Sequence, residues 1–398
     1  MSDHGSLEEN SAFCALPWVH ICGSVDGVWG RCCVDNTMYH DDLYTKPEEP
    51  EFRLKPGAIG ALPRSRFAAA NPGRTFGLEE AFNSVNMRRT RLEMLASERV
   101  KACIYCYDRE DGGGESYRQK VNRIFSEMVD LPALIARTAA DGSLDAFPLF
   151  LDIRFGNTCN LQCIMCGYPV SSRWGTEKRP TWAQANIDPY RDDDELWDVL
   201  RENAGGLRRV YFAGGEPFMQ PGHFKMLDLL IETGAAAGID LVYNSNLTVL
   251  PKGVFEQLAR FKSVGIGASC DGVGEVFEKI RTGARWEVFV RNVREAKRHV
   301  PVILAVAPQR DNVLHLREIV DFAVAEGLEV DLTNFVHWPA ELSVRNLPAE
   351  HKAAAGRYLD ALIGDCRDRS LETAAEHLTM LASFVRAEAD REAGQEVS

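Results

Sequence analysis

The arrangement of cysteines constrains this chain more than any other feature. Eleven occur in 398 residues, at positions 14, 22, 32, 33, 103, 106, 159, 163, 166, 270 and 366. Cys159, Cys163 and Cys166 form C-x3-C-x2-C, and Cys103 and Cys106 form C-x2-C. Such spacing lets a short loop aim several thiolates at one soft metal centre. A disulfide framework belongs to small exported domains. This chain is long and opens on the polar, acidic MSDHGSLEEN, which does not read as a signal peptide. A reducing, cytoplasmic location is expected. An isolated cysteine such as Cys366 reads as a small buried hydrophobe. Three cysteines with no histidine beside them leave one ligand position open. The triplet therefore admits a catalytic zinc or an iron–sulfur cluster with one uncapped iron, and spacing alone does not choose.

Composition narrows the partners. Acidic residues outnumber basic ones by 58 to 45, a formal net charge of −13, which argues against nucleic acid or an anionic membrane surface. No apolar run approaches the roughly 18 residues of a membrane span. The length suggests about two to three domains.

Patterning along the chain changes near residue 148. Residues 1–35 carry four cysteines interrupted by Gly23, Gly27 and Gly30, as in a short hairpin. Residues 36–76 are rich in Pro, Gly and charge and read as a long loop. Helical periodicity covers 78–98 and 116–138. Strands then alternate with helices: strands at 148–155, 208–214, 240–246, 264–269, 300–306 and 328–336, helices at 222–237, 251–261, 284–298 and 314–326. Repeated strand–helix units imply a parallel sheet. Six are too few for a closed eightfold barrel and suit an open partial one. The expected fold is α/β: a partial (β/α)6 TIM-type barrel over 148–338, a small cysteine-rich region over 1–140 before it, and a helical extension over 339–398 after it. Residues 340–390 read as helical and the tail DREAGQEVS as frayed.

The chemistry-bearing residues fall at the C-terminal strand ends, where sheets of this kind bind ligands. CNLQCIMC follows the first strand, Gly214-Gly215-Glu216-Pro217 the second, Asn244 and Asn246 the third, and Ser269-Cys270-Asp271-Gly272 the fourth. This order over 148–336 resembles the radical S-adenosylmethionine (radical SAM) enzymes. The resemblance implies that Cys159, Cys163 and Cys166 hold three irons of a 4Fe–4S cluster. S-adenosylmethionine would chelate the fourth iron and be cleaved to a 5′-deoxyadenosyl radical that abstracts a substrate hydrogen. Gly214 and Gly215 permit close backbone approach to a ligand. Glu216 offers a carboxylate to the cofactor ammonium, and Pro217 stiffens the turn. Ser269 and Asp271 alternate along the strand end and can meet the ribose hydroxyls. Arg281 is a candidate partner for the cofactor carboxylate, or else a solvated helix residue. Asn244 and, less strongly, Asn312 complete the candidate set. APQRDN stands where many relatives carry a glycine-rich adenine-binding motif.

A second resemblance lies before the barrel. FCALPWVHICGSVDGVWGRCC resembles the opening of a SPASM/Twitch auxiliary-cluster domain, with Cys14, then Gly27, then Cys32. Cys103 and Cys106 would complete four thiolates around an auxiliary 4Fe–4S cluster, Cys33 or Cys22 being alternatives to Cys32. Structural zinc is the rival occupant. Trp18, His20 and Trp29 read as core residues or as substrate contacts. Cys270 is a candidate hydrogen donor, but strand alternation turns it away from Ser269 and Asp271.

The expected function is hydrogen abstraction from a small natural product or sugar, with the auxiliary cluster as electron relay. One alternative is maturation of a ribosomally made peptide by crosslinking or epimerisation, for which the 36–76 loop would serve as a clamp. Another is a non-catalytic iron–sulfur or zinc scaffold. Hydrolytic zinc chemistry has no H-E-x-x-H motif to support it. A flavodoxin or ferredoxin is the expected reductant, and the substrate is a small molecule or a peptide.

Overall fold

The computed structural model describes residues 10–25, 27, 29–34, 77–167, 170–175 and 186–387. The loop expected at 36–76 and the frayed tail lie outside the described residues. In chain order the strands are β1 (His20–Gly23), β2 (Trp29–Gly30), β3 (Phe150–Ile153), β4 (Gln162–Cys163), β5 (Arg209–Phe212), β6 (Asp240–Ser245), β7 (Ser263–Ser269), β8 (Arg281–Thr282), β9 (Val302–Ala305) and β10 (Glu329–Asp331). The fold is α/β, with mostly parallel strands flanked by helices as in a partial TIM-type barrel, and the strands do not close. Two compact units divide the chain: Met1–Thr158, Tyr168–Leu241 and Ala259–Ser263 form the first, and Cys159–Gly167, Val242–Leu258 and Val264–Ser398 the second.

In the first unit β1 and β2 form the expected hairpin, antiparallel with Cys22 opposite Gly30. β1 also pairs in parallel with β3, and β3 with β5. Because side chains alternate along a strand, this register sorts the residues into two faces. Ile21, Leu151, Ile153, Val210 and Phe212 share the apolar face, and all are buried. Phe212 meets His223 of the Pro221–Glu232 helix edge-on at 4.8 Å. Phe155 stacks on Trp197 of the Asp194–Asn203 helix at 5.6 Å. Burying each such ring contributes about 1.5–3 kcal/mol. The other face carries His20, Cys22, Asp152, Arg154 and Tyr211.

In the second unit β7, β9 and β10 are parallel, and β4 pairs with β8. The Ala349–Asp368 and Glu372–Arg386 helices pack their buried Leu359, Leu362, Leu378 and Leu381 into an apolar core.

Several elements are shorter than their sequence signals, each for a local reason. The helix expected over 78–98 is two, Leu78–Phe82 and Val85–Leu95, because the Ser84 hydroxyl caps the second by accepting from Met87 N–H at 3.3 Å. The one expected over 116–138 breaks where Asp130 caps Leu131–Ile135. The 340–390 stretch turns at Ser370, whose φ is 56°. β10 stops at Asp331, whose carboxylate accepts from Thr333 N–H (2.8 Å) and Oγ1 (2.6 Å) and bends the chain out of the ladder. Helix Asp194–Asn203 was missed, although Asp193 caps it and Leu196, Trp197 and Leu200 form its buried stripe. Helix Ile104–Asp111, which carries Cys106, was missed too. Among the described residues no helix is long and apolar enough to cross a membrane.

Candidate functional site

The cysteine triplet belongs to the second unit and is held at several points. Cys163 pairs with Arg281 across β4 and β8, and Ile164 N–H donates to Ile280 C=O at 2.9 Å. Polar hydrogens point at the sulfurs. Asn246 Nδ2 lies 3.9 Å from Cys159 Sγ, Leu161 N 3.5 Å from the same sulfur, and Arg281 Nη1 3.9 Å from Cys163 Sγ. The Cys163 thiol is held below its ordinary pKa because Cys166 donates to its sulfur; burial opposes this and the Arg281 cation supports it. Asn246 is itself fixed, donating to Asn160 Oδ1 at 3.0 Å and accepting from Thr248 N–H at 2.8 Å. Asn244 is exposed, so the structure brings Asn246, rather than the singled-out Asn244, to the triplet. β6 ends at Ser245, and the turn beyond it breaks the alternation that made the two asparagines look equivalent.

Ser269 and Asp271 are likewise divided. Ser269 is half-buried, whereas Asp271 is enclosed. The Asp271 Oδ1 atom accepts from Ala307 N–H at 2.7 Å, and Oδ2 pairs with Arg281 Nη2 at 2.7 Å. Asn312 donates to Asp271 C=O and Ala307 C=O, both at 3.1 Å, and so ties the ends of β7 and β9 together. Arg281 is thus occupied in aligning Asp271 and facing Cys163. Cys270 is fully buried and its thiol donates to Gly272 C=O at 3.4 Å.

The GGEP turn belongs to the first unit, and what approaches its glycines is the chain itself. Gly214 has φ 112°, and a Cβ on Gly215 would stand 2.3 Å from Thr158 O. Gly215 N–H donates to Gly156 C=O and Glu216 N–H to Thr158 C=O, fastening the segment that leads into Cys159. Gln220, unnoticed in the sequence, adds a bond from Nε2 to Thr158 O at 2.8 Å. Glu216 is buried with Oε1 accepting from Phe218 N–H, and Pro217 opens the short turn that follows. Asn157 exchanges hydrogen bonds with Ile187 through backbone and side chain.

The first unit also gathers the other candidate thiols. Cys14, Cys32 and Cys106 are buried, and Cys33 and Cys103 half-buried. Burial first, then the neighbouring Cys103 and Cys106, push the Cys14 thiol up. Cys32 is pushed up by its contact with Cys33 first, then by burial, with Cys14 also adding. The Tyr117–Met128 helix cradles this place. Asn122 donates to Phe13 C=O (3.0 Å) and accepts from Ala15 N–H (2.7 Å), gripping the backbone on both sides of Cys14. Arg118 donates to Phe13 C=O and pairs with Glu110, and Tyr107 donates to Ala12 C=O at 2.9 Å. Neither Asn122 nor Arg118 carried a sequence signal beyond helical periodicity. Trp18 is core, its indole donating to Thr138 Oγ1 at 2.8 Å, and Trp29 packs on Tyr190.

Among the described residues no three Cys, His, Asp or Glu side chains converge closely enough to share one metal ion. Ligands of one zinc stand about 4 Å apart. Thiolates on separate irons of a four-iron cube are spread by the cube as well as by their bonds. Thiol sulfurs with N–H groups aimed at them, as at the triplet and from Val34 N–H to Cys32 at 3.5 Å, suit such a cluster.

Residues 153–323 match the family model of the radical SAM superfamily. Solved structures similar to the chain include Streptococcus suis SuiB bound to S-adenosylmethionine, at 14% identity and TM-score 0.40, covering 71% of this chain and 62% of that one. Native anSMEcpe with bound AdoMet is similar at 17% identity and TM-score 0.44, covering 56% and 62%. The methyltransferase TsrM from Kitasatospora setae is similar at 14% identity and TM-score 0.32, covering 45% and 36%. The chain thus spans about three fifths of the first of these. No curated protein matches the chain.

Proposed function

We propose that this chain is a radical SAM oxidoreductase acting on a small natural product or sugar, with one 4Fe–4S cluster on Cys159, Cys163 and Cys166 and an auxiliary 4Fe–4S cluster on Cys14, Cys32, Cys103 and Cys106. When bound, these groups supply one-electron cleavage of S-adenosylmethionine, hydrogen-atom abstraction from substrate and uptake of the electron released. The chain's residues supply position and charge. Asn246 and Arg281 direct hydrogens at the triplet sulfurs, which lowers the cost of gathering thiolates. Ser269 offers a hydroxyl to the cofactor ribose. The Gly214–Gly215 turn and Gln220 hold the strand that delivers Cys159. Asn122 and Arg118 fix the Cys14 segment, and Cys103 and Cys106 lie at the start of the Ile104–Asp111 helix.

One observation carries the reading of a second cluster: the clustering in one unit of cysteines from three distant stretches of sequence, with the backbone around Cys14 clamped by Asn122. Anaerobic reconstitution is expected to give about eight irons per chain, and about four in Cys103→Ala/Cys106→Ala. Dithionite with S-adenosylmethionine should then yield 5′-deoxyadenosine. Equal iron in the variant and the parent would refute the auxiliary assignment, and zinc in both sites would refute the whole.

A further inference from the structure

The APQRDN segment after β9 has no part in the function proposed above, and it holds an unspent hydrogen-bonding group. Its backbone is fixed at Gln309 and on either side. Gln309 N–H donates to Asn312 Oδ1 at 2.8 Å, and Gln309 C=O accepts from Val313 N–H at 2.9 Å. Val336 N–H donates to Pro308 C=O at 3.1 Å, and Arg310 N–H to Leu342 C=O at 2.8 Å. The Gln309 side chain is left out of this bonding. It is fully buried, and among the described residues neither Oε1 nor Nε2 has a hydrogen-bond partner. Burying an unpaired primary amide costs stability at both of its ends, a cost that a methionine of similar length would not carry. A rigid backbone presenting such an amide meets the requirement for a preorganised ligand contact.

Position and chemistry select the ligand group. Asn312, which fixes Gln309, also donates to Asp271 C=O. Asp271 in turn pairs with Arg281, and Arg281 faces Cys163. Gln309 thus belongs to a network that runs from the end of β9 to the cysteine triplet. Ser269 lies opposite Ala305 in the register of β7 and β9, about 5 Å away. With the methionine part of S-adenosylmethionine at the triplet and its ribose at Ser269, the base is left to the end of β9. A primary amide offers a donor beside an acceptor, and adenine presents the matching edge, its 6-amino donor next to a ring-nitrogen acceptor. Ser269, Ala305 and Ala307 are half-buried, so open surface begins within two residues of Gln309. A long unbranched side chain reaches that surface by a change of rotamer.

We infer that the Gln309 amide binds the adenine of S-adenosylmethionine, accepting from the 6-amino group through Oε1 and donating to a ring nitrogen through Nε2. The inference deepens the radical SAM reading above and rests on it. The test compares parent and Gln309→Met, both with clusters reconstituted and without reductant, in calorimetric titrations with S-adenosylmethionine and with its 6-deamino analogue. The parent is expected to bind the cofactor about threefold to tenfold more tightly than the analogue. Gln309→Met should bind the two alike, and the cofactor about tenfold more weakly than the parent does. Without cofactor, Gln309→Met should melt a few degrees above the parent, because the unpartnered amide is gone. Equal cofactor affinity in variant and parent would overturn the inference. So would a parent indifferent to the 6-amino group, an arm that needs no variant. A lower melting temperature in Gln309→Met would overturn it too, since that is the result of an amide already satisfied by a buried water. Iron content and parent affinity report on the wider reading: iron-loaded parent that binds no S-adenosylmethionine would overturn that reading and this assignment with it.

Discussion

Replacing Arg281 by methionine is the most informative single perturbation. Its guanidinium pairs with Asp271 at 2.7 Å, and the two side chains are 12% and 0% accessible. Removing one partner of a buried pair leaves an uncompensated charge, which costs about 3–5 kcal/mol. Asp271 keeps its bond from Ala307 N–H, so the lower half of that range is expected. Adding Asp271→Asn removes the orphaned charge while leaving that acceptor. The double variant should therefore be more stable than Arg281→Met by about 2 kcal/mol. Urea denaturation of cluster-free protein under reductant measures both changes as shifts in midpoint at constant m. A loss below about 1 kcal/mol in Arg281→Met, or a further loss on adding Asp271→Asn, would refute the buried-pair argument. A second readout follows in cluster-loaded protein. The same guanidinium stands 3.9 Å from Cys163 Sγ, and withdrawing a cation disfavours the reduced cluster, so the midpoint potential should fall.

Two further outcomes are expected. Gly215→Ala would drive a Cβ to 2.3 Å from Thr158 O, a backbone atom that no rotamer change can move away, whereas Gly205→Ala meets nothing within 4 Å; thermal melts should show a loss of roughly 1–3 kcal/mol in the first and little in the second. His223 and His20 are held neutral by burial, with pKa values lowered to about 3 and about 4, against an ordinary 6.5. Below about pH 6.5 the unfolded chain binds protons that the folded chain refuses, so stability is full above that pH and falls as pH drops, by up to about 1.4 kcal/mol per unit for each histidine. Urea midpoints at pH 7.5 and 5.0 should differ less in His223→Leu than in the parent, and an unchanged difference would exclude His223 as a source.

The alternation of strands and helices was legible from the residues alone. The six apolar runs are short-range signals, written in spacing and alternation, and the family match over 153–323 falls on them. Covalent geometry makes such patterns readable, since neighbours in sequence are neighbours in space. Pairings across long loops have no such signature. Nothing in the sequence showed that β1 would extend the sheet beside β3, that Asn122 would grip both sides of Cys14, or that Arg281 would be claimed by Asp271. Each depends on which buried polar group lacks a partner once the chain is compact, and burial is a property of the whole fold. The two glycines of GGEP mark the border between these cases. Their need for space was plain from residue type, but that the space belongs to Arg154 and Gly156 at Gly214, and to the backbone of Asn157 and Thr158 at Gly215, emerged only when the strands were packed.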